Sequence, residues 1–266
     1  MENSNKKEEL KYKTMEVLKK QNEYSLCIPV YNEGNRILKE LEKAQKAKVN
    51  EIADIILLDG GSTDGSISIE NLKKFNVNTL ITMKEKGIYK QSEALKAGFE
   101  FSIKRKYKGV ITIDGNNKDG IEDVKKFIEK LQEGYDYIQG SRFLKGGKSE
   151  NTPIIRYLAI KYIHAPLIRL TSHKKYTDTT NLFRGYSIKY LTDGRVQIFR
   201  EIFRSYELSV YLSTRADKIN LKTCEIPVKR CYPSRKKYST KVGKIKGNFL
   251  LIKSLLENLI GKYNPK

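Results

Sequence analysis

The segment ITIDGNNKD runs an apolar stretch into Asp114, Gly115 and Asn116. A carboxylate, a glycine and a second oxygen-bearing side chain on one turn offer two donors to a hard divalent cation that also holds a diphosphate. Such an ion neutralises the charge of a departing nucleotide. The same residues also make an ordinary strand-terminating turn. A second segment, DGGSTDGS at 59–66, combines glycines that permit close backbone approach with Asp59, which can accept hydrogen bonds from a nucleobase or ribose. Ser62 or Asp64 there equally suits a helix N-cap. A third, IPVYNEG at 28–34, sets Pro29 before Tyr31 and Glu33. That ring and carboxylate can pack on and bind a base, or simply form a turn and start a helix.

The elements around these segments give them a common place. Apolar runs rich in β-branched residues at 24–30, 53–59, 77–83, 108–113 and 136–140 predict strands. The stretches 34–47, 65–75, 88–106 and 119–132 predict crossover helices, and Ile88, Leu95, Phe99 and Ile103 share one face of the third. Alternation of this kind predicts an α/β fold with a mostly parallel, Rossmann-like sheet flanked by helices. In such sheets ligands bind beyond the carboxyl ends of the strands, so the three segments should line one crevice.

The second half is different in character. Residues 153–172 predict an apolar helix studded with Arg and Lys and kinked or broken at Pro166. Residues 196–213 predict a helix, and 218–230 alternate like a hairpin or an edge strand. A basic loop, KRCYPSRKKYSTK, precedes a last amphipathic helix at 245–261, with Phe249, Ile252, Leu256 and Leu259 among its apolar positions.

Composition bounds the function. The 266 residues carry a formal charge of +21, with 39% hydrophobic and 31% charged side chains, which fits a globular protein attracted to polyanions. No zinc spacing, basic recognition helix or RNA-binding aromatic signature is present, which argues against nucleic acid as the partner. Cys27, Cys224 and Cys231 lack metal-ligand spacing and read as reduced thiols. The charged N-terminus does not suit a secretion signal, and no apolar run approaches the ~20 residues of a membrane span. The expected location is therefore the cytoplasm or the inner face of the cell membrane. There the segments 153–170 and 245–261 would lie on anionic lipid, pack on the core, or meet a second copy in a homodimer.

Taken in this order, the three strand-end motifs resemble the family 2 glycosyltransferases, whose fold is GT-A. YIQGSRFLKGG at 137–147, DTTNLFRGY at 178–186 and YELSVYLSTRADKINLKTCEIPVKR at 206–230 are similar to later motifs of the dolichyl-phosphate mannose synthase branch. The resemblance spans roughly residues 24–241. It implies a GT-A domain at 23–241, which leaves the charged stretch 1–22 as a flexible segment and 242–266 as a C-terminal amphipathic helix. It also implies a nucleoside diphosphate sugar as donor, Mg or Mn as cofactor, and a lipid-phosphate or glycan acceptor, with inversion at the sugar.

By the same resemblance, Pro29, Tyr31, Glu33 and Asp59 match nucleoside-binding positions, and Asp114 matches the first acid of the metal motif. Arg142, Asp178, Arg184 and Glu207 match positions on the sugar and acceptor side. Arg230, Arg235 and Lys241 fall in a loop similar to the one that closes over donor phosphates. An anionic acceptor oxygen needs no strong base, whereas a sugar hydroxyl needs a carboxylate to take its proton, and Asp178 and Glu207 are then the candidates. Two departures stand out. Asn116 replaces the usual second metal-binding aspartate, leaving Asp119 and Lys118 to supplement the site, and Gly60 replaces the second acid of the nucleotide loop. The rival class is a non-catalytic basic protein on nucleic acid or an anionic membrane surface, which the full motif set disfavours.

Overall fold

Every residue of the run DIILLD at Asp54–Asp59 is buried, which a strand achieves only inside a sheet covered on both faces. The computed structural model describes residues 9–84, 91–233 and 244–265. In chain order its elements are β1 (Tyr12–Glu16), β2 (Tyr24–Val30), α1 (Asn35–Lys46), β3 (Asp54–Asp59), α2 (Ile69–Lys74), β4 (Thr79–Met83) and α3 (Gln91–Lys104). There follow β5 (Gly109–Thr112), α4 (Val124–Gln132), β6 (Tyr137–Ser141), β7 (Lys148–Glu150), α5 (Ile154–Ala159) and α6 (Ala165–Ser172). The chain ends with β8 (Arg184–Ser187), α7 (Ile188–Thr192), α8 (Glu207–Lys218), β9 (Thr223–Pro227), β10 (Lys229–Cys231) and α9 (Lys244–Leu259).

The main sheet has the order β1-β4-β3-β2-β5-β8-β6-β9. Its centre, β4-β3-β2-β5, is parallel, while β8 runs antiparallel between β5 and β6. Side chains alternate across it: Ile55 and Leu57 join one apolar layer with Ile37 and Leu41 of α1. Ile56 and Leu58 join the other with Leu95 and Phe99 of α3. Strand order reverses at the β2–β5 boundary, the switch point at which open α/β sheets form their ligand crevice. This is the expected α/β architecture, and the five expected strands are present to within about two residues.

Several expectations fail or hold only in part, each for a physical reason. The segment expected to be flexible at 1–22 contains β1, which pairs antiparallel with β4 because that strand would otherwise be an open sheet edge. Gln21 and Asn22 are also tied, their backbone N–H groups bonding the Asp54 carboxylate. Between α5 and α6 the chain continues through a π-helical turn, Ile160–His164, with Pro166 in the first turn of α6. The widened turn absorbs the missing proline N–H, so the helix is not broken. The helix expected over 196–213 lies instead at Glu207–Lys218. Val196, Ile198 and Phe203 are buried from an irregular segment, so their apolar character reflects core packing without helical periodicity. Of the hairpin or edge strand expected at 218–230, the edge strand is found: β9 lies at the sheet edge parallel to β6, while β10 pairs with β7 in a separate two-stranded sheet.

Helix α9 packs on α6 and α8. Its inward face holds Leu255, Ser254 and Asn258, the last donating to Thr214 Oγ1 at 2.9 Å. Phe249 and Leu256, two of the apolar positions noted in the sequence, point outward. The residue Ile88 of the expected third helix lies outside the described residues. Among the described residues no helix is long and apolar enough to cross a membrane.

Candidate active site

The loops after β2 and β3 are zipped together at the switch point. Asn32, with φ 48°, donates its backbone N–H to Ser62 Oγ at 3.0 Å and accepts at Oδ1 from Thr63 N–H at 2.7 Å. Gly34 N–H donates to Asp64 Oδ2 at 2.7 Å, and Gly60 N–H to the Val30 carbonyl at 2.9 Å. Asp64 and Ser62 thus join the two loops, and the expected N-cap role belongs to Ser68, which caps α2. Asp59 is buried at the end of β3 and its Oδ1 takes the Ser62 N–H at 2.8 Å. Glu33 pairs with Arg36 at 2.7 Å in the first turn of α1. Pro29 lies within β2, and Tyr31 and Glu33 follow it at the crevice rim.

The turn after β5 carries the other half of the site. Gly115 is needed where it stands: a Cβ there would lie 2.8 Å from Val30 Cγ1 and 2.9 Å from the Pro29 carbonyl oxygen. The close approach brings Asp114 alongside the β2 loop. Asn117, with φ 57°, closes the turn, and its N–H donates to Glu40 Oε2 of α1 at 2.7 Å. Burial pushes the Glu40 carboxyl well above the usual range.

Arg230 connects this turn to β10. Its Nη2 donates to Asp114 Oδ2 at 2.9 Å, its Nη1 to Asp119 Oδ2 and, at 3.1 Å, to Asn181 Oδ1. The backbone reinforces the link, with Gly120 N–H to the Lys229 carbonyl at 2.8 Å and Cys231 N–H to the Lys118 carbonyl at 2.6 Å. Burial opposes charge on Asp114, but Arg230, helped by Lys118 and Arg156, overcomes it and holds the carboxyl below its ordinary value. Asp119 is deeper and moves the other way: burial raises it, and the neighbouring Asp114 charge adds to that.

Beside this lies a cluster of cations around one phenol. Tyr232 Oη accepts from Arg142 Nη1 and Arg156 Nη1, both at 3.0 Å, and from Arg230 Nε at 3.4 Å. Lys118 Nζ stands 5.2 Å from the centre of its ring. Burial alone would raise the phenol pKa, yet the guanidiniums of Arg230, Arg142 and Arg156 together pull it down to about 7.

The carboxylates expected on the acceptor side are placed differently from one another. Asp178 is buried and gripped by Arg142, Nε to Oδ2 at 2.6 Å and Nη2 to Oδ1 at 3.2 Å. A carboxylate engaged on both oxygens is committed to orienting its arginine. Glu207 sits at the start of α8, its Oε2 accepting the N–H groups of Arg204 and Ser205. Arg184 directs its guanidinium to the carbonyls of Asn181, Ser209 and Thr179, which makes it a brace beneath the site. Arg235 and Lys241 lie outside the described residues. The structure therefore brings Asp114, Arg142, Asp178 and Arg230 into one network and leaves Arg184 and Glu207 bonded to backbone. Sequence reasoning passed over Tyr232 and Arg156, one inside a loop read for its charge and the other inside a helix read for its apolar face.

The donor set bears on a divalent ion. Asn116 Oδ1 and Asp119 Oδ1 are buried acceptors with no hydrogen-bond partner, and the Asp114 side chain is 24% exposed. Among the described residues no group of three or more His, Cys, Asp or Glu side chains is arranged to hold a metal. One carboxylate plus amide oxygen fits a hard cation that takes its remaining ligands from phosphate and water, as Mg²⁺ usually does.

The family model for glycosyl transferase family 2 matches residues 25–207. Among similar proteins, an undecaprenyl-phosphate 4-deoxy-4-formamido-L-arabinose transferase of Pectobacterium atrosepticum is 28% identical over 211 residues, covering 77% of this chain and 58% of that protein. A dolichol-phosphate mannosyltransferase of Pyrococcus furiosus is 30% identical over 139 residues, 52% of this chain and 38% of that protein. The chain thus spans less than two thirds of the length of these relatives. The glucosyl-3-phosphoglycerate synthase of Mycobacterium tuberculosis, solved with Mn²⁺ and UDP-glucose, superposes with a TM-score of 0.63 at 16% identity, over 91% of this chain and 80% of that one. That likeness concerns the fold, which is GT-A. The match over 25–207, on motifs that converge at the switch point, shows that this chain belongs to glycosyl transferase family 2.

Proposed function

We propose that the protein transfers a sugar from a nucleoside diphosphate donor to an anionic acceptor, a polyprenyl phosphate in preference to a glycan hydroxyl, in cell-surface polysaccharide or glycolipid biosynthesis. The observation that carries this is the juxtaposition at one crevice of two differently charged halves. Tyr31, Glu33 and Asp59 stand at the ends of β2 and β3, which supports reading them as the nucleoside side. Arg142, Arg156, Lys118 and Arg230 gather around Tyr232 beside Asp114, positive charge that supports phosphate oxygens as the ligand there. A guanidinium presents its donors in a fixed fork that matches phosphate geometry; Arg142 is held by Asp178 and Arg230 by Asp114 and Asp119, so Arg156, bonded to Tyr232 Oη, is the arginine that most supports a phosphorylated acceptor over a neutral one.

Asp114, with Asn116 as the weaker partner, would hold a Mg or Mn ion. Bound there, the ion supplies positive charge to the diphosphate leaving group. Asp178 holds Arg142 in place, and since a phosphate oxygen is already anionic, no carboxylate has to act as base. We infer inversion at the sugar, a reading that family membership supports.

The outward face of α5, the π turn and α6 favours peripheral contact with the inner leaflet. Ile155 is 79% and Tyr162 64% exposed, Ile154, Ile163 and Leu170 are exposed with them, and Arg156, Lys161 and Arg169 are interspersed. Apolar side chains flanked by cations suit an anionic bilayer surface, where the lipid acceptor resides. The test is a thermal-shift screen of nucleoside diphosphates with and without Mn²⁺. A ligand of the native state raises the midpoint, by about 2.7 kcal/mol of stabilisation at a hundredfold excess over Kd. One nucleotide should act and should require the ion for full effect; no shift with any nucleotide would refute the donor assignment.

A further inference from the structure

Arg230 sits where the cation is expected. Its guanidinium lies between the carboxylates of Asp114 and Asp119, is 4% exposed, and bonds Asp114 Oδ2, Asp119 Oδ2 and Asn181 Oδ1 at once. The side chain is not a loose one that has found a nearby acid. Asp119 and Arg230 face each other in a β-bridge, and the backbone bonds to Lys229 and from Cys231 pin the two segments together on either side. Burying a guanidinium is costly unless it is fully paired, and this one is, so the sequence has built a fixed positive charge into the candidate metal site. We propose that Arg230 is a resident cation that competes with the divalent ion for Asp114, so that the protein binds the ion weakly until a donor diphosphate arrives.

The inference rests on Asp114 being the metal-holding carboxylate. Two positive charges sharing one partly buried carboxylate repel, and little water is there to screen them. A diphosphate changes the balance because its oxygens pair with both cations, replacing for Arg230 the carboxylate that the ion takes. Ion and nucleoside diphosphate therefore bind cooperatively, each tightening the other by the same factor. Two acceptors fit this account: Asn116 Oδ1 and Asp119 Oδ1, buried and without hydrogen-bond partners in the arrangement with Arg230 seated on Asp114. They are the oxygen donors an ion would recruit once the guanidinium exchanges Asp114 for the diphosphate.

The experiment is a Mn²⁺ titration of the full chain without nucleotide, read by loss of the free-ion electron paramagnetic resonance signal. Wild type is compared with Arg230→Met and with Asp119→Asn/Arg230→Met, which also removes the buried acid that the single substitution leaves unpaired. Asp114→Asn serves as the control for the site. Mn²⁺ should bind Arg230→Met about tenfold tighter than wild type or more, the usual size of coupling between sites. The double variant should also bind it tighter than wild type, and UDP and GDP should strengthen Mn²⁺ binding by a smaller factor in both variants than in wild type. If the single variant does not fold, the double variant alone decides. Equal Mn²⁺ affinity in wild type and the folded variants, lost in Asp114→Asn, overturns the competition while leaving the metal site standing. Binding that Asp114→Asn does not diminish, or its absence from every protein even with nucleotide, overturns both.

Discussion

Tyr232 should ionise close to neutral pH, and the consequences can be worked through. The phenol lies among three guanidiniums, two at 3.0 Å, and its pKa falls from 10.0 to about 7. Between those values the unfolded chain keeps the proton and the folded chain does not, so unfolding takes up a proton and stability rises with pH. The contribution is complete above about pH 10 and is lost as pH falls through about 7. A shift of three units corresponds to at most ~4 kcal/mol across that window. The assay is the near-ultraviolet difference absorbance of tyrosinate, followed from about pH 6 to about pH 9. The chain has 17 tyrosines, and burial holds many, such as Tyr137 and Tyr190, above the ordinary value, so an early signal from one residue stands apart. Tyr232→Phe should abolish it and flatten the rise of stability over the same range. An unchanged early signal in Tyr232→Phe, or none below about pH 9 in wild type, would refute the assignment.

The remaining predictions concern other parts of the molecule. Asp178→Asn strips the charge from a buried pair and leaves Arg142 uncompensated, so stability should drop by ~3–5 kcal/mol in denaturant unfolding. A loss under about 1 kcal/mol would mean the pair is not buried as described. Flotation with anionic vesicles should recover the protein at low salt and lose it at high salt, and Ile155→Ser with Ile163→Ser should weaken recovery at low salt. If neither salt nor these substitutions changes recovery, the face of α5 and α6 is not the contact.

Much of the fold is legible because its signals are local. The buried run of β3 and the turn chemistry of DGN mark a strand and its end without reference to anything distant. That three motifs sit at strand ends and share one crevice was also readable, since alternating strands and helices imply a parallel sheet with ligands beyond its carboxyl edge; the strand order that puts the switch point between β2 and β5 was not. The site network was not. The Arg230 to Asp114 pair joins residues 116 positions apart, and Asp178 finds Arg142 across 36. Nothing in either local sequence distinguishes a guanidinium that will reach phosphate from one that will reach a carboxylate. Arg184 shows the same limit: its motif position implies a ligand, yet nearby carbonyls engage the whole side chain. Strand β1 was missed because an edge pairing depends on the partner edge being open, which only the assembled sheet reveals.

The central claim is sugar transfer from a nucleoside diphosphate donor with Asp114 holding the ion, and it is tested most directly by one comparison. Purified wild type and Asp114→Asn are incubated with a panel of radiolabelled nucleotide sugars, Mn²⁺ and a short polyprenyl phosphate, and label in the lipid product is measured. Wild type should label the lipid from one donor in an ion-dependent way. Asp114→Asn should lose at least about two orders of magnitude of that rate, the scale of ~2.7 kcal/mol in the barrier, while unfolding at a similar temperature. Transfer at a near-normal, still ion-dependent rate by Asp114→Asn would contradict the account.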